Sequence, residues 1–416
     1  MPSTPEAQSK KLITSVVVSA KRGGKARLSA DGEAFIRAFY DRVPIEDIAR
    51  RAPAELAAQA LDFLKFARVR KPGMALLRVF NPVEDSHGWC SDRTVIEVVN
   101  DNMPFLVDSI TAALNFRSLG VHLVIHPVLR NRRDGTGALK AAGSQKKKDA
   151  GSQIGESFIH VEIDRQAAAG EIKELTKVLG GVLSDVRASV EDWMMMRGKL
   201  TEVIGDLEAA NRSPDSIEYI SEVRDFLKWL DDDHYTFLGY RRYDFTQVKG
   251  AKEAHVVAGS GLGVLRDPGV RVFYADDSNM PRDVRSISAS DGVISIAKAN
   301  RRATVHRAIH MDTIGVELRD SNGTIVGEHR FVGLFTSHAY SLSPRFIPVL
   351  RRKIAHTMSS SRFDSASHDG KALLHILENY PRDELFQISD EELLKNALGI
   401  LHLQERQRTA LFERRD

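Results

Sequence analysis

TVIEVVNDNMPFLVDSITAALNFRSLGVHLVIHPVL, residues Thr94–Leu129, decides the fold. Thr94–Val99 is rich in β-branched residues, which suit a pleated, half-buried strand. Asn100-Asp101-Asn102 ends it with side chains that bond nearby backbone and tolerate turn geometry. Asn102 reads as a helix N-cap, and Pro104 falls in the first helical turn, where its missing N–H costs nothing. Phe105, Ile110, Ala113 and Leu114 then form an apolar stripe at helical spacing. Gly120 closes the helix, and Val121–Leu129 runs out as a second strand. Such a crossover is right-handed and places both strands in one sheet. The loop Asn100–Pro104 therefore lies at a strand's carboxyl end and a helix's amino end, where open α/β sheets hold ligands.

Composition narrows the class. A 416-residue chain with 42% hydrophobic and 28% charged residues is long enough for two or three ordinary globular domains. A net charge of +3 is small for this length and implies no nucleic-acid or membrane partner. The single cysteine, Cys90, rules out an internal disulfide framework and suits a reducing compartment, so a cytoplasmic location is expected. No apolar run approaches the roughly 20 residues of a membrane span.

Outward from the central stretch, residues 1–30 carry lysines and arginines around an apolar piece broken by Thr14, Ser15 and Ser19. They are expected to form a flexible tail. Residues 31–70 alternate at helical spacing and are split by Pro44 and Pro53 into three helices. Pro72-Gly73 is a turn, and Ala75–Phe80 a short strand. Arg130–Gly155, with Gly135, Gly137, Gly143, Gly151 and Lys146-Lys147-Lys148, is expected to be an exposed, solvated loop. Ser157–Asp164 alternates as a strand, and Glu171–Arg197 is an amphipathic helix. Residues 74–198 thus form an α+β domain: a split β-α-β unit with an antiparallel sheet and helices on one face.

Residues 199–232 read as a helical linker, broken near Ser213-Pro214. Residues 233–342 shift to short strands and turns: Tyr235–Phe245, Gly263–Arg266, Arg271–Tyr274, Val293–Ala297, Ala303–Ile309, Gly315–Arg319 and Thr324–Thr336. Asn322-Gly323 between alternating runs is a strong hairpin signal. This β-rich domain is expected to be one curved antiparallel sheet. Residues 343–416 return to helices.

No catalytic constellation stands out. Gly259-Ser-Gly261-Leu-Gly263 lacks the following helix that a dinucleotide fingerprint requires, and reads as a glycine-rich turn. His122/His126 and His306/His310 are four apart on expected strands. There they would sit about 13 Å apart, too wide to share a metal. His160 and Glu162 share a strand face, and Asp231-Asp232-Asp233-His234 forms an acidic run. Neither has an assignable acid–base partner. Ser337 and Cys90 lack a nucleophile motif. Met194-Met195-Met196 reads as packing at a helix end. On these grounds no catalytic, cofactor-binding or metal residue is assigned.

Long blocks nevertheless resemble one family. VVNDNMPFLVDSITAALNFRSLGVHLVIHPVL, ESFIHVEIDR, FLKWLDDDHYTFLGYRRYDF, GSGLGVLR, ANRRATVHR, SHDGKALLHILENYPRDELFQIS and ALGILHLQERQR are similar to the N-terminal region of the large bacterial NAD-specific glutamate dehydrogenases. The resemblance implies an ACT-like module at 74–198, a PAS-like module at 233–342 and a C-terminal helical segment. The dehydrogenase domain would lie beyond residue 416. It also implies that this chain alone is inactive and holds no cofactor, NAD belonging to the full-length family. Its expected partners are the remainder of the polypeptide, the homo-oligomer and a small amino-acid effector. The effector would sit at Asn100, Asp101, Asn102, Met103, Pro104, Phe105 and Asp108, which are similar to the strand-to-helix loop of ACT domains. Phe105 stands where that loop usually has glycine; the other reading of the same residues is that its bulk closes the pocket and leaves the loop a structural joint in oligomer or interdomain packing. A stand-alone amino-acid-sensing or protein-interaction module is the alternative, and catalysis by this chain the third reading.

Overall fold

The computed structural model describes residues 4–23, 28–142, 154–209, 214–248, 251–271 and 293–406. The chain divides into two compact units, Met1–Arg187 with Thr304–Ala308, and Ala188–Ala303 with Ile309–Asp416.

In the first unit, helices α1 (Pro5–Gly23), α2 (Ala30–Tyr40), α3 (Ile45–Ile48) and α4 (Pro53–Phe66) precede strand β1 (Leu76–Phe80) and the short helix α5 (Glu84–His87). Then come β2 (Thr94–Asp101), α6 (Leu106–Phe116), β3 (Val121–Ile125), β4 (Val128–Arg133), β5 (Leu139–Ala141), β6 (Ile154–Ile163) and α7 (Ala169–Glu191). The sheet runs β1-β2-β6-β4-β5, with β3 also on β6. β2 and β3 are both antiparallel to β6 and therefore parallel to each other. That is the split β-α-β crossover expected from the central stretch.

Alternation along β2 and β6 sorts their side chains. Glu97 faces His160 and Val99 faces Phe158 across the register, on one side of the sheet. Val99, Phe158, Ile125 and Leu129 on that side share a core with Phe35, Phe39, Leu56 and Phe63 of α2 and α4. Ile96, Val98, Ile159 and Val161 are buried on the other side, where Arg187 of α7 reaches Asn100. Both faces are thus covered rather than one, because the amino-terminal helices pack on the sheet instead of standing apart.

Three sequence expectations for this unit change. The supposed tail contains α1, whose Ile13, Val16, Val17 and Ala20 are buried against the other helices. The Thr14 and Ser15 hydroxyls that interrupt the apolar run bond back to Lys10 and Lys11 carbonyls, so they are tolerated on the exposed face. The Arg130–Gly155 loop holds β4 and β5, with Asn131 buried; the lysine triplet lies outside the described residues. Val121–Leu129 is two strands, β3 and β4, joined at His126-Pro127, since Pro127 has no N–H for the ladder.

The second unit contains α8 (Trp193–Ala209), α9 (Pro214–Trp229), β7 (Tyr235–Val248), β8 (Ala251–Val256), β9 (Leu262–Gly263), β10 (Ile294–Arg302), β11 (His310–Arg319) and β12 (Ile325–Phe335). Helices α10 (Ser337–Ser341), α11 (Leu350–Ser361), α12 (His368–Glu378), α13 (Arg382–Gln387) and α14 (Asp390–Arg406) complete it. Its antiparallel sheet runs β10-β11-β12-β7-β8, with β9 on β7. The expected Asn-Gly hairpin joins β11 to β12, with Gly323 at φ +80°.

Residues 199–232 are not a linker. Leu200, Val203, Val223, Phe226 and Leu227 of α8 and α9 share one core with Phe331 and Phe335 of the sheet and with Leu350, Leu373 and Leu393 of the later helices. The strand expected over 303–309 is instead a loop closed by Ala303 N–H donating to Ile309 O at 2.8 Å. Most of the expected strand 271–274 lies outside the described residues. Of the methionine triplet only Met196 is buried, while Met194 and Met195 are exposed.

Candidate functional site

The Asn100–Asp108 loop is built differently from its sequence reading. Asn102 N–H donates to Gly155 O at 2.8 Å, carrying the β2–β6 ladder one residue further. Asn102 is therefore still extended, too early to cap a helix. Its side-chain Oδ1 accepts from Ser157 Oγ at 3.0 Å. Pro104 lies in a turn outside the helix, and Phe105 precedes α6 in a left-handed conformation, φ 69° and ψ 0°, with no side-chain cap. A non-glycine residue held there costs about 1–2 kcal/mol.

The loop's polar atoms are largely spoken for. Asn100 is fully buried; its Oδ1 accepts from Arg187 Nη2 at 2.6 Å. Asp101 takes Arg70 Nη2 on one oxygen and Arg187 Nη2 at 2.8 Å on the other. Burial opposes ionisation of Asp101, but the hydrogen bonds from Arg70 and Arg187 outweigh it and hold the carboxyl below its ordinary range. Asp108 is exposed and lies 3.3 Å from His306 Nδ1. His306 N–H donates to Ser109 Oγ at 2.9 Å, and its ring is 5.2 Å from that of Phe105. Among the described residues one buried group here has no hydrogen-bond partner, the Asn100 amide Nδ2.

Arg70 also anchors a deeper cluster. Its Nε donates to Glu156 Oε1 at 2.6 Å. Glu156 further accepts from Arg133 Nε at 2.8 Å and Asn131 Nδ2 at 2.7 Å. Arg70, Arg187 and Glu156, which fix the loop, were not singled out from sequence. Arg70 and Arg187 stand 31 and 86 residues from Asp101, and no local spacing marks a pair so distant.

The other sequence candidates separate. His160 and Glu162 do come together, in a fully enclosed cluster under α2 and α4. His122 pairs with exposed Asp164 at 2.6 Å, and His310 Nδ1 meets Ala299 O at 2.8 Å. Asp231 pairs with Arg197, and His234 stacks between Trp229 and His338, with centroids 4.3 and 4.6 Å away. Gly263 of the glycine-rich turn has φ +58° and lies so close to Leu238 O that a Cβ would sit 2.1 Å from it; no helix opens from this segment. Among the described residues no group of three or more His, Cys, Asp or Glu is placed to hold a metal, and no helix is long and apolar enough to cross a membrane.

Residues 35–179 match the family profile described as "Glutamate dehydrogenase, ACT1 domain", and residues 347–406 match "Glutamate dehydrogenase, helical motif 1". The chain is 38% identical over 390 residues to the NAD-specific glutamate dehydrogenase of Halomonas elongata, an alignment covering 93% of this chain and 24% of that protein. It belongs to the NAD-specific glutamate dehydrogenase family. The family protein of Pseudomonas aeruginosa is 35% identical over 92% of this chain and 23% of its own length. That of Mycobacterium tuberculosis is 27% identical over 88% and 21%. The chain thus spans about a quarter of the length of these dehydrogenases and corresponds to an N-terminal region of them. The solved "Structure of an RNA-binding Light-Oxygen-Voltage Receptor" aligns at 12% identity and TM-score 0.15, over 74% of this chain and 92% of that one. The ACT1 match encloses the Asn100–Asp108 loop and the whole β2–β6 sheet core.

Proposed function

We propose that the chain is the regulatory and assembly portion of an NAD-specific glutamate dehydrogenase. The full-length protein would oxidise L-glutamate to 2-oxoglutarate and ammonia in the cytoplasm, passing hydride to NAD in a domain outside these 416 residues. The observation that carries this reading is the ACT1 match over residues 35–179 in a chain spanning only about a quarter of its relatives. The first unit would take a small amino-acid effector at Asn100, Asp101, Asn102, Met103, Pro104, Phe105 and Asp108, and the second, PAS-like unit would join the homo-oligomer and the rest of the polypeptide. The buried, unpartnered Asn100 Nδ2 supports the effector reading, because it is a donor suited to a carboxylate. Asp108 offers a complementary anion for an ammonium group.

A thermal-shift screen of the chain against amino acids tests this. An effector that binds the folded chain raises the melting temperature increasingly as its concentration exceeds its dissociation constant, and Asp101→Ala, which takes one partner from each of Arg70 and Arg187, removes that response. No shift at millimolar concentration with any amino acid refutes the effector assignment.

A further inference from the structure

A second polar cluster lies away from the loop, between the sheet and its helical cover. His160 on β6 is fully buried. Its Nδ1 is 3.1 Å from Glu97 Oε1 on β2. Its Nε2 is 3.5 Å from Glu162 Oε1 and 2.9 Å from Gln59 Nε2 of α4. Gln59 Oε1 lies 2.9 Å from Tyr40 OH of α2 and 3.3 Å from Arg51 Nη1, in the turn before α4. Arg51 also holds Glu162 at 2.7 Å and the more exposed Glu55 at 3.9 Å. From β1, Arg78 bonds Glu97 at 2.7 Å and Asp62 of α4 at 2.7 Å. Asp62 accepts from Trp89 Nε1 at 3.5 Å. The rings of Phe39, Phe63 and Trp89 close the remaining sides, at 5.8, 6.3 and 6.3 Å.

Two features of this cluster favour opposite charge states of His160. Gln59 Nε2 and His160 Nε2 face each other, so one nitrogen must accept, and only a neutral imidazole can. Yet the enclosed charges are three carboxylates (Asp62, Glu97, Glu162) against two guanidiniums (Arg51, Arg78), so only an imidazolium balances them. Rotating the Gln59 amide by half a turn resolves this. Its oxygen then accepts from His160 Nε2–H. Tyr40 OH, whose single proton otherwise serves both Leu56 O and Gln59 Oε1, donates to Leu56 and accepts from the amide. The cost is two contacts: Arg51 Nη1 and the amide would meet as two donors, and Gln59 Nε2 would no longer donate to Glu162 Oε1, 3.3 Å away.

We propose that His160 and Gln59 form a proton-linked switch: protonating His160 at Nε2 turns the Gln59 amide and breaks its contact with Arg51. Burial opposes the charge on His160, but hydrogen bonds and attraction from Glu162 and Glu97 outweigh it and raise its pKa. A group raised on folding stabilises fully below its unfolded value and loses that contribution as pH rises through the folded one. The contribution of His160 to holding the α2 and α4 cover is therefore complete below about pH 6.5, the ordinary histidine value, and is lost as pH rises through its raised pKa. This device goes beyond the regulatory reading and does not depend on it.

The test is a pH titration of the full chain carrying isotope-labelled histidine, with His160→Gln to assign the signal. The imidazole nitrogen shifts should show His160 titrating above the ordinary histidine value of about 6.5, with Nδ1–H retained in the neutral form. The Gln59 side-chain amide should move with the same midpoint. A His160 fixed in one charge state from roughly pH 6 to 9, around that ordinary value, or one that titrates while Gln59 stays still, overturns the proposal. Gln59→Glu, which can only accept, should raise the midpoint by about one pH unit or more; an unchanged or lower midpoint counts against it. Urea denaturation gives an independent reading: the stability gap between wild type and His160→Gln should narrow as pH rises through the midpoint, and a gap constant with pH overturns the switch.

Discussion

Replacing Glu156 by glutamine isolates the interaction that fixes the loop's foundation. Glu156 is fully buried and holds Arg70 at 2.6 Å, Arg133 at 2.8 Å and Asn131 at 2.7 Å. The Arg70 and Arg133 side chains are only 2% and 6% exposed, so solvent cannot replace the lost charge. Arg70 retains Asp101. Among the described residues Arg133 retains the Gly137 carbonyl at 2.9 Å. Breaking a buried pair from one side leaves an uncompensated charge and costs about 3–5 kcal/mol. The first unit counts 187 residues plus the five of Thr304–Ala308, and at that size each kcal/mol lowers the melting temperature by about 2–4 °C. A fall of about 6–20 °C is expected in the transition of that unit. Urea denaturation followed by circular dichroism, with thermal melts in parallel, measures it. The triple replacement Arg70→Met, Glu156→Leu, Arg133→Met removes all three charges together and should recover most of the loss, because an apolar set avoids the desolvation cost. A loss below about 1 kcal/mol for Glu156→Gln, or a triple variant worse than the single, would refute the reasoning.

Three other outcomes follow from the same geometry. At the left-handed position 105, Phe105→Gly should be more stable than Phe105→Ala by about 1 kcal/mol, the reverse of the usual order, as both lose the ring and only glycine escapes the strain; equal stabilities in urea would count against the φ of 69°. Gly263→Ala should destabilise the second unit by at least about 2 kcal/mol, because its Cβ would sit 2.1 Å from Leu238 O at a positive φ; a neutral result in thermal melts would contradict that contact. At Glu162, burial opposes ionisation, but His160 and Arg51 outweigh it and bring the pKa down from 4.5 to about 2. A carboxyl lowered on folding stabilises above its unfolded value and loses that as pH falls through the folded one. Glu162→Gln should therefore flatten the acid side of the stability curve between those values, and an unaltered slope would speak against the pairing.

The sequence carried the local half of this structure. The change from alternating to helical spacing across Thr94–Leu129 marked the strand, helix and returning strand, and Asn322-Gly323 marked its hairpin. The start of α6 was misplaced by about a turn, since continuation of the ladder by Asn102 N–H to Gly155 is a tertiary effect that no capping rule sees. Helix α1 was legible in part: Ile13, Val16, Val17 and Ala20 have helical spacing, but Thr14, Ser15 and Ser19 obscured it. The linker reading of 199–232 failed because part of the core that α8 and α9 join is encoded more than a hundred residues later, in Phe331, Phe335 and Leu350. Within the candidate loop, the residues themselves were readable, but the arginines that occupy their oxygens were not. Arg70 and Arg187 come from elements before and after the crossover, and only the folded sheet brings them to Asp101.

We propose that these residues steer a dehydrogenase whose hydride-transfer machinery lies outside them. The most direct measurement is the formation of reduced nicotinamide by the purified 416-residue chain supplied with L-glutamate and NAD, beside a full-length relative as positive control. The account predicts turnover by the relative and none by the chain. Sustained, glutamate-dependent turnover by the chain alone would contradict it.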